Sequence, residues 1–503
     1  MASSLNKLPT AGPANDSEFL RRACLDFAGR IPSTDTVRDF LADKSPDKRT
    51  RLIDRLFEDS LWNETMAERF HLMLMERRGK DEHWLEWLAA SFRSNKPWNT
   101  MVLEMLSPDF LREDLHGAGF FLTKRLEKYG QNPTDFPGLT RDVGRMFMGI
   151  DLQCAECHKH LTVKDYKQVD FQGLFAAYGN LRLQNPVGEV KVKWVKEEIL
   201  RKELEFGSAF HDKKRMTSPR IPFGKAIEIP VFEKGEEYLV KPDKAKGIVG
   251  KLKFSPLAEI ADRMIDSNNT FFARNIANRA WFLMTGRGLI EPLDLTHSAN
   301  PSSHPELLDL LSAELVKKNY DLKWFFRELA LTKTYGLSSE LPEGHAPDHL
   351  FSVASERPIS AESLLRNVLL ATGEWERVAK LDDEDEHSME NFKKLFEASF
   401  ANAPREPELE VNSSLKGALF LRNNSSLLWL ILKRDGNLVD KLSSIKDSAK
   451  LTEELFLSVL SRMPAEDDLA MVNSFLNESS DRESALGDLT WALLSSTEFF
   501  VNH

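Results

Sequence analysis

The chain has 503 residues, and its 78 acidic against 67 basic side chains give a formal net charge of −11 at pH 7. A negative chain is repelled by phosphate backbones, so the charge argues against nucleic acid as the main partner. Hydrophobic residues make up 42% and charged residues 29%, which is typical of folded globular proteins and excludes collagen-like and disordered chains. No run of 18 apolar residues occurs, so no transmembrane segment is predicted.

The first part of the chain predicts a lead-in followed by helices. Residues 1–15 are polar, contain Pro9 and Pro13, and predict a flexible lead-in. Residues 16–180 carry apolar side chains at helical spacing, as at Leu52, Ile53 and Leu56, and predict an N-terminal helical domain. A short helix is expected from about Arg141 to Gly149, and a further helix from Asp170 to Tyr178.

The pattern changes after residue 180 and then returns to helices. Short β-prone segments separated by Gly, Pro and Lys predict a small β-containing insert over 181–250, with strands near 190–195, 227–231 and 238–240. Residues 251–503 predict a C-terminal helical domain, in which Ser303 and Glu306 have the spacing of a capping box. The expected fold is therefore mainly α, with two helical domains and the small β-containing insert between them.

The most informative feature is the cluster Cys154-Ala-Glu-Cys157-His158, which matches the C-x-x-C-H pattern of c-type haem attachment. Two thiols three residues apart can form thioethers with one porphyrin, and the next residue places an imidazole under the iron. With 3 Cys and 12 His in the chain, random placement gives about 0.0004 such matches. The cluster therefore predicts that Cys154, Cys157 and His158 bind covalent haem c.

Two other interpretations of this cluster stay open. His160 adds a second imidazole, so the four side chains could hold a metal such as zinc, with His158 and His160 as the histidine ligands. However, structural zinc sites usually split their ligands into two distant pairs. The third interpretation is a thiol pair without a cofactor; a redox pair of this spacing is typically found where a strand leads into a helix, whereas helical patterns flank this one.

A sixth ligand for a haem iron is not defined by the sequence. His71, Met75, Met146 and Met148 carry suitable donor atoms, but for each methionine a role as core filler is the simpler interpretation. A haem without a protein sixth ligand favours small-molecule chemistry over electron transfer alone. A further loop candidate is the stretch from His297 to His304.

Several longer segments carry a resemblance to a known family. In the first half they are residues 19–32, 40–43, 51–56, 153–160 and 170–175, and in the second half residues 278–281, 286–290, 301–309 and 491–503. Together they resemble a pair of planctomycete-type domains of unknown function, often labelled PSCyt and PSD. Members of that family commonly follow the second histidine with Pro-Phe-Asp. Here His160 is followed by Leu161-Thr162-Val163, so any role of that aspartate would fall to another residue such as Asp165.

The resemblance implies export, because such proteins usually begin with an export signal and are often fused to, or encoded beside, cytochrome c modules. Residues 1–17 have no apolar core of a signal peptide, so we expect a leader to have been removed and the location to be periplasmic or at the cell envelope. The alternative is a cytoplasmic protein. Expected partners are other cytochromes or envelope proteins; the oligomeric state is left open.

Two functions of different classes follow from these observations. The first is an exported c-type haem protein with a redox or electron-transfer role. The alternative is a helical binding or scaffold protein of the envelope, whose Cys/His cluster holds a structural metal or none. A hydrolase or oxidase acting on an envelope polysaccharide is a third possibility, for which the sequence supplies no catalytic set. Whether the protein is an enzyme is not decided by the sequence.

Overall fold

The computed structural model describes residues 9–243, 245–344, 346–406 and 415–503. Residues 1–8 of the predicted lead-in lie outside the described residues. The remainder of that lead-in is hydrogen-bonded, since the Ala11 N–H donates to Ser352 O at 2.9 Å and the Ala14 N–H donates to Gly336 O at 2.9 Å.

Helices dominate the fold, which confirms the predicted mainly α class. Their bounds are Asp16–Phe27, Thr34–Ala42, Lys48–Glu58, Ser60–Met75, Glu82–Arg93, Trp98–Leu106, Phe120–Leu126, Phe136–Met148, Gln168–Tyr178, Pro256–Ile265, Thr270–Thr285, Pro305–Lys317, Leu322–Ala330, Ala361–Thr372, Trp375–Val378, Met389–Phe400, Leu415–Asn423, Ser425–Leu430, Leu438–Ser444, Ser448–Leu460, Glu466–Glu478, Arg482–Leu494 and Thr497–Phe500. Short 3₁₀ turns occur at Glu113–Leu115, Cys154–Glu156 and Asp348–Leu350. None of the helices in the described residues is long and apolar enough to cross a membrane.

The strands form small antiparallel pairs. Leu181–Gln184 pairs with Trp194–Glu197, Leu204–Ser208 with His211–Thr217, Tyr238–Val240 with Lys251–Leu252, and Arg357–Pro358 with Val501–Asn502. The strand predicted at 238–240 is confirmed, whereas the one at 227–231 is wrong. Ile227 is buried and its N–H donates to Pro219 O at 2.8 Å, but Pro230 has no N–H to donate and Val231 is 96% exposed, so the segment does not continue as a strand.

The described chain divides into two compact units that interleave along the sequence, and the predicted domain boundaries stay a prediction. One unit comprises residues 9–66, 284–286 and 327–503. Its core includes Leu364, Val368, Leu430 and Leu455, all fully buried.

Deep in this unit, the Asp26 carboxylate accepts hydrogen bonds from four donor groups: Arg357 Nη1 and Nη2 at 2.9 and 2.8 Å, Tyr335 Oη at 2.8 Å, and Asn502 Nδ2 at 2.9 Å.

The other unit comprises residues 67–283 and 287–326. An aromatic chain lies in its core, with Trp98 and Phe147 ring centroids 6.3 Å apart and Phe121 and Phe147 centroids 5.3 Å apart. Beside this core, the Asp142 carboxylate lies within 3.0 Å of Arg78, Arg125 and Arg145. Burial raises the pKa of Asp142, but the three guanidinium groups outweigh it and lower the pKa to about 2.

The predicted capping box at Ser303 is wrong. The helix begins at Pro305, and His304 is the N-cap residue. The Ser303 hydroxyl instead donates to the Leu289 carbonyl at 3.2 Å, so a tertiary contact removes the cap that the sequence suggested. Proline with its fixed φ then suits the first helical position.

Candidate functional site

A helix longer than predicted leads into the Cys/His cluster. It begins at Phe136 rather than near Arg141, because the Asp135 carboxylate caps the Gly138 N–H at 2.8 Å and Pro137 is tolerated in the first turn. Leu139 and Val143 are buried one turn apart and fix the helix to the core. The helix ends at Gly149, whose φ of +67° places it in the left-handed region that favours glycine.

The turn after this helix is held by the loop at 293–296. The Thr296 N–H donates to Gly149 O at 2.9 Å, and the Asp151 N–H donates to Asp294 O at 2.8 Å. Asp151 in turn accepts a hydrogen bond from the Gln153 N–H at 2.9 Å. The cluster therefore starts from a backbone position fixed on both sides.

Both cysteines of the cluster are exposed. Cys154 begins the 3₁₀ turn Cys154–Glu156 and Cys157 follows it, while Ala155 between them is fully buried. The Cys157 carbonyl accepts hydrogen bonds from the Ala209 N–H at 2.9 Å and from Gln168 Nε2 at 3.0 Å. The backbone is thus held by hydrogen bonds, while both cysteines stay exposed.

His158 has a defined tautomer. Its Nδ1 lies 2.6 Å from the Lys159 carbonyl oxygen, which can only accept, so Nδ1 carries the proton and Nε2 keeps its lone pair. A ligating histidine normally makes the same bond, because it orients the ring and leaves Nε2 for the metal. The ring also packs against Phe210 with centroids 4.8 Å apart.

His160 has the opposite arrangement. Its Nδ1 accepts the Val163 N–H at 2.9 Å, so this nitrogen is occupied and the proton sits on Nε2. The ring lies edge-on to Tyr166 with centroids 5.8 Å apart. His160 therefore closes the turn at 160–163. The predicted pairing of His158 with His160 as metal ligands stays a prediction; within the described ranges, no group of three or more His, Cys, Asp or Glu is close enough to hold a metal ion.

The sixth-ligand candidates named from the sequence lie in the interior. Met75, Met146 and Met148 are at most 2% exposed. His71 is buried, and its Nδ1 accepts a hydrogen bond from Trp84 Nε1 at 2.9 Å. These side chains behave as core residues.

Sequence reasoning missed two residues that shape the site. Phe210 lies at the tip of the hairpin Leu204–Thr217 and is 61% exposed, and no sequence pattern places it on His158. Tyr166 is buried, which raises its pKa, so its hydroxyl stays protonated and donates to Thr296 O at 3.0 Å. Asp165 faces the same loop, where Oδ2 accepts the Ser298 N–H at 2.6 Å.

The donor set fits a covalently attached haem. Two accessible thiols stand three residues apart, and the next residue is an imidazole whose Nε2 lone pair is free for an axial bond.

Two family models match the chain. Residues 2–182 match PSCyt2, described as a protein of unknown function (DUF1549), and residues 258–399 match PSD1, described as a protein of unknown function (DUF1553). No curated protein and no solved structure matches the chain.

Proposed function

Because the chain belongs to the proteins that combine the PSCyt2 and PSD1 domains, neither of which has an assigned function, we propose its role from the Cys/His cluster. The protein is an exported c-type haem protein with a redox or electron-transfer role. The observation that carries the proposal is the hydrogen bond from His158 Nδ1 to the Lys159 carbonyl, beside two exposed thiols.

Each residue of the cluster has a defined task in this proposal. The Cys154 and Cys157 thiols would hold the porphyrin through two thioether bonds, and His158 Nε2 would bind the iron. The bound haem supplies one-electron exchange at the iron. The Lys159 carbonyl orients the imidazole and raises its basicity, and Phe210 shields one face of the ring from water.

The proposed location follows from the chemistry. Covalent attachment of haem normally takes place outside the cytoplasm, so a periplasmic or envelope location accompanies the haem proposal. Its partners are then other cytochromes or envelope proteins that exchange electrons with an exposed haem.

The test is expression of the protein with and without haem-maturation machinery. We expect a Soret band that survives denaturation and acid–acetone extraction, with one iron per chain. Cys154→Ala combined with Cys157→Ala should leave any haem extractable, and His158→Ala should alter the spectrum by removing the axial nitrogen.

Two matched variants control for non-specific loss. Cys24→Ala removes a buried thiol, and His160→Ala removes an imidazole two residues from His158; both should retain covalent haem. An absent or fully extractable chromophore in the wild-type protein refutes the proposal. In that case, one zinc per chain or no metal would support the helical binding or scaffold protein instead.

A further inference from the structure

A large cavity lies next to the cluster, within the unit that contains it. Its volume is about 960 Å³. Its lining includes Lys164, Asp165 and Lys167, the start of the helix Thr270–Thr285, the loop at 296–302 and one face of the helix Pro305–Lys317. Small-molecule sites have volumes of about 300–1,000 Å³. The cavity is therefore large enough for an organic ligand with one or more rings.

The mouth of this cavity is positive. Lys164 and Lys167 line it, and neither ammonium group forms an ion pair with a carboxylate among the described residues. Asp309 is paired with Arg274, and Asp165, whose Oδ2 accepts the Ser298 N–H, keeps its negative charge. The lining therefore has three cationic side chains against two carboxylates and is positive by one charge. The 16-residue helix that begins at Thr270 adds the positive end of its dipole. This charge distribution favours an anion.

A flat apolar wall faces the same space. The Phe223 and Phe271 rings are stacked with centroids 4.9 Å apart and an interplanar angle of 28°. Phe223 is 41% exposed and has a φ of +62°, which is unusual for a bulky residue. The Phe223 N–H donates to the buried Asp170 carboxylate at 3.1 Å, so the strained position is held in place. An exposed aromatic pair of this kind suits the face of a ring-shaped ligand.

His297 gives the cavity a hydrogen-bond donor. Neither ring nitrogen has a hydrogen-bond partner in the described part of the chain, but Nδ1 is buried whereas Nε2 stays accessible. A proton on Nδ1 would leave a buried N–H without an acceptor, which costs more free energy than a buried lone pair without a donor. We therefore assign the proton to Nε2, where it can be donated to a ligand.

We propose that this cavity binds a small organic anion built on a ring, with its carboxylate near Lys164, Lys167 and His297 and its ring against Phe223 and Phe271. The proposal does not depend on haem, because none of its contacts involves Cys154, Cys157 or His158. An aromatic acid and a sugar acid share this chemistry.

Isothermal titration calorimetry of the full chain tests the proposal. The probes are sodium benzoate and sodium glucuronate, each compared with its neutral counterpart, benzyl alcohol or glucose. We expect at least one anion to bind, with its neutral counterpart at least tenfold weaker. The preferred anion identifies the kind of ring.

Variants separate the cavity from general charge effects. Lys164→Gln combined with Lys167→Gln should weaken the bound anion at least tenfold, and Phe223→Ala should weaken it severalfold. Lys202→Gln combined with Lys213→Gln makes the same charge change at exposed lysines outside the cavity and should leave affinity unchanged. The proposal fails if neither anion binds at 10-mM probe, if a neutral counterpart binds equally well, or if the two double-lysine variants behave alike.

Discussion

Replacing Gly149 with alanine tests how firmly the backbone before the Cys/His cluster is fixed. Gly149 has a φ of +67°, which costs an alanine about 1 kcal/mol because its Cβ crowds the following carbonyl. The new Cβ would also lie 3.0 Å from Asn275 Oδ1, 3.0 Å from Thr296 Oγ1 and 3.1 Å from Leu293 O. Displacing these three oxygens adds about 1–2 kcal/mol, typical of overpacking.

Gly130 provides a matched control. Its φ of +62° carries the same backbone cost, but no atom lies within 4 Å of an added Cβ. Gly130→Ala should therefore destabilise the folded state by only about 1 kcal/mol, whereas Gly149→Ala should destabilise it by about 2–3 kcal/mol.

Native-state hydrogen exchange of the segments 126–166 and 289–300 measures the difference, because local opening of each segment reports its own free energy. We expect faster exchange for Gly149→Ala, centred on the N–H groups of Ile150 and Asp151 and on that of Thr296, which donates to Gly149 O. Equal free energies of opening for the two alanine variants would show that the crowding at Gly149 has no energetic effect and would refute the reasoning.

Three further predictions concern thiol reactivity, pH and buried charge. In haem-free native protein, iodoacetamide should alkylate the exposed Cys154 and Cys157 but not Cys24, whose burial raises its pKa to about 12; mass spectrometry showing three rapidly labelled thiols would contradict this. The folded pKa of Asp142 is about 2 against an ordinary 3.8. Its contribution to the free energy of unfolding, about 2 kcal/mol, is therefore present above pH 4 and is lost as the pH falls toward 2. The acid unfolding of Asp142→Asn should depend less steeply on pH over that range than the acid unfolding of the wild type. Asp26→Asn should lower the free energy of unfolding by about 3–5 kcal/mol, because Arg357 loses its buried partner, whereas Asp35→Asn at a side chain that is 91% exposed should change it by less than about 0.5 kcal/mol in urea denaturation.

Features that depend on neighbouring residues were predictable from the sequence. The Cys154, Cys157 and His158 spacing is a local pattern, and the His158 Nδ1 bond reaches only the next carbonyl. The helix Gln168–Tyr178 also follows its local apolar pattern closely, and the structure begins it only two residues before the expected Asp170.

Features that depend on distant residues were not predictable. Ser303 has the spacing of an N-cap, yet its hydroxyl bonds to Leu289, which is 14 residues away. The helix Phe136–Met148 begins before the expected Arg141, because Pro137 and Gly138 are residue types typical of loops. The Asp135 cap nevertheless makes this stretch helical. Nothing in the spacing of Lys164, Asp165 and His297 indicates that they line one cavity.

The environment of His158 is set partly outside the two domains that define the family. The family models cover residues 2–182 and 258–399, and the hairpin Leu204–Thr217 lies between them. That hairpin supplies Phe210 to the imidazole and the Ala209 N–H to the Cys157 carbonyl. In the haem protein proposed above, packing and hydration around His158 would tune what its imidazole binds, so this segment would influence properties that the shared domains do not determine. The Cys/His cluster lies within residues 2–182, which match the first family model. The Phe210 ring that packs on His158 instead belongs to the insert between the two matched regions.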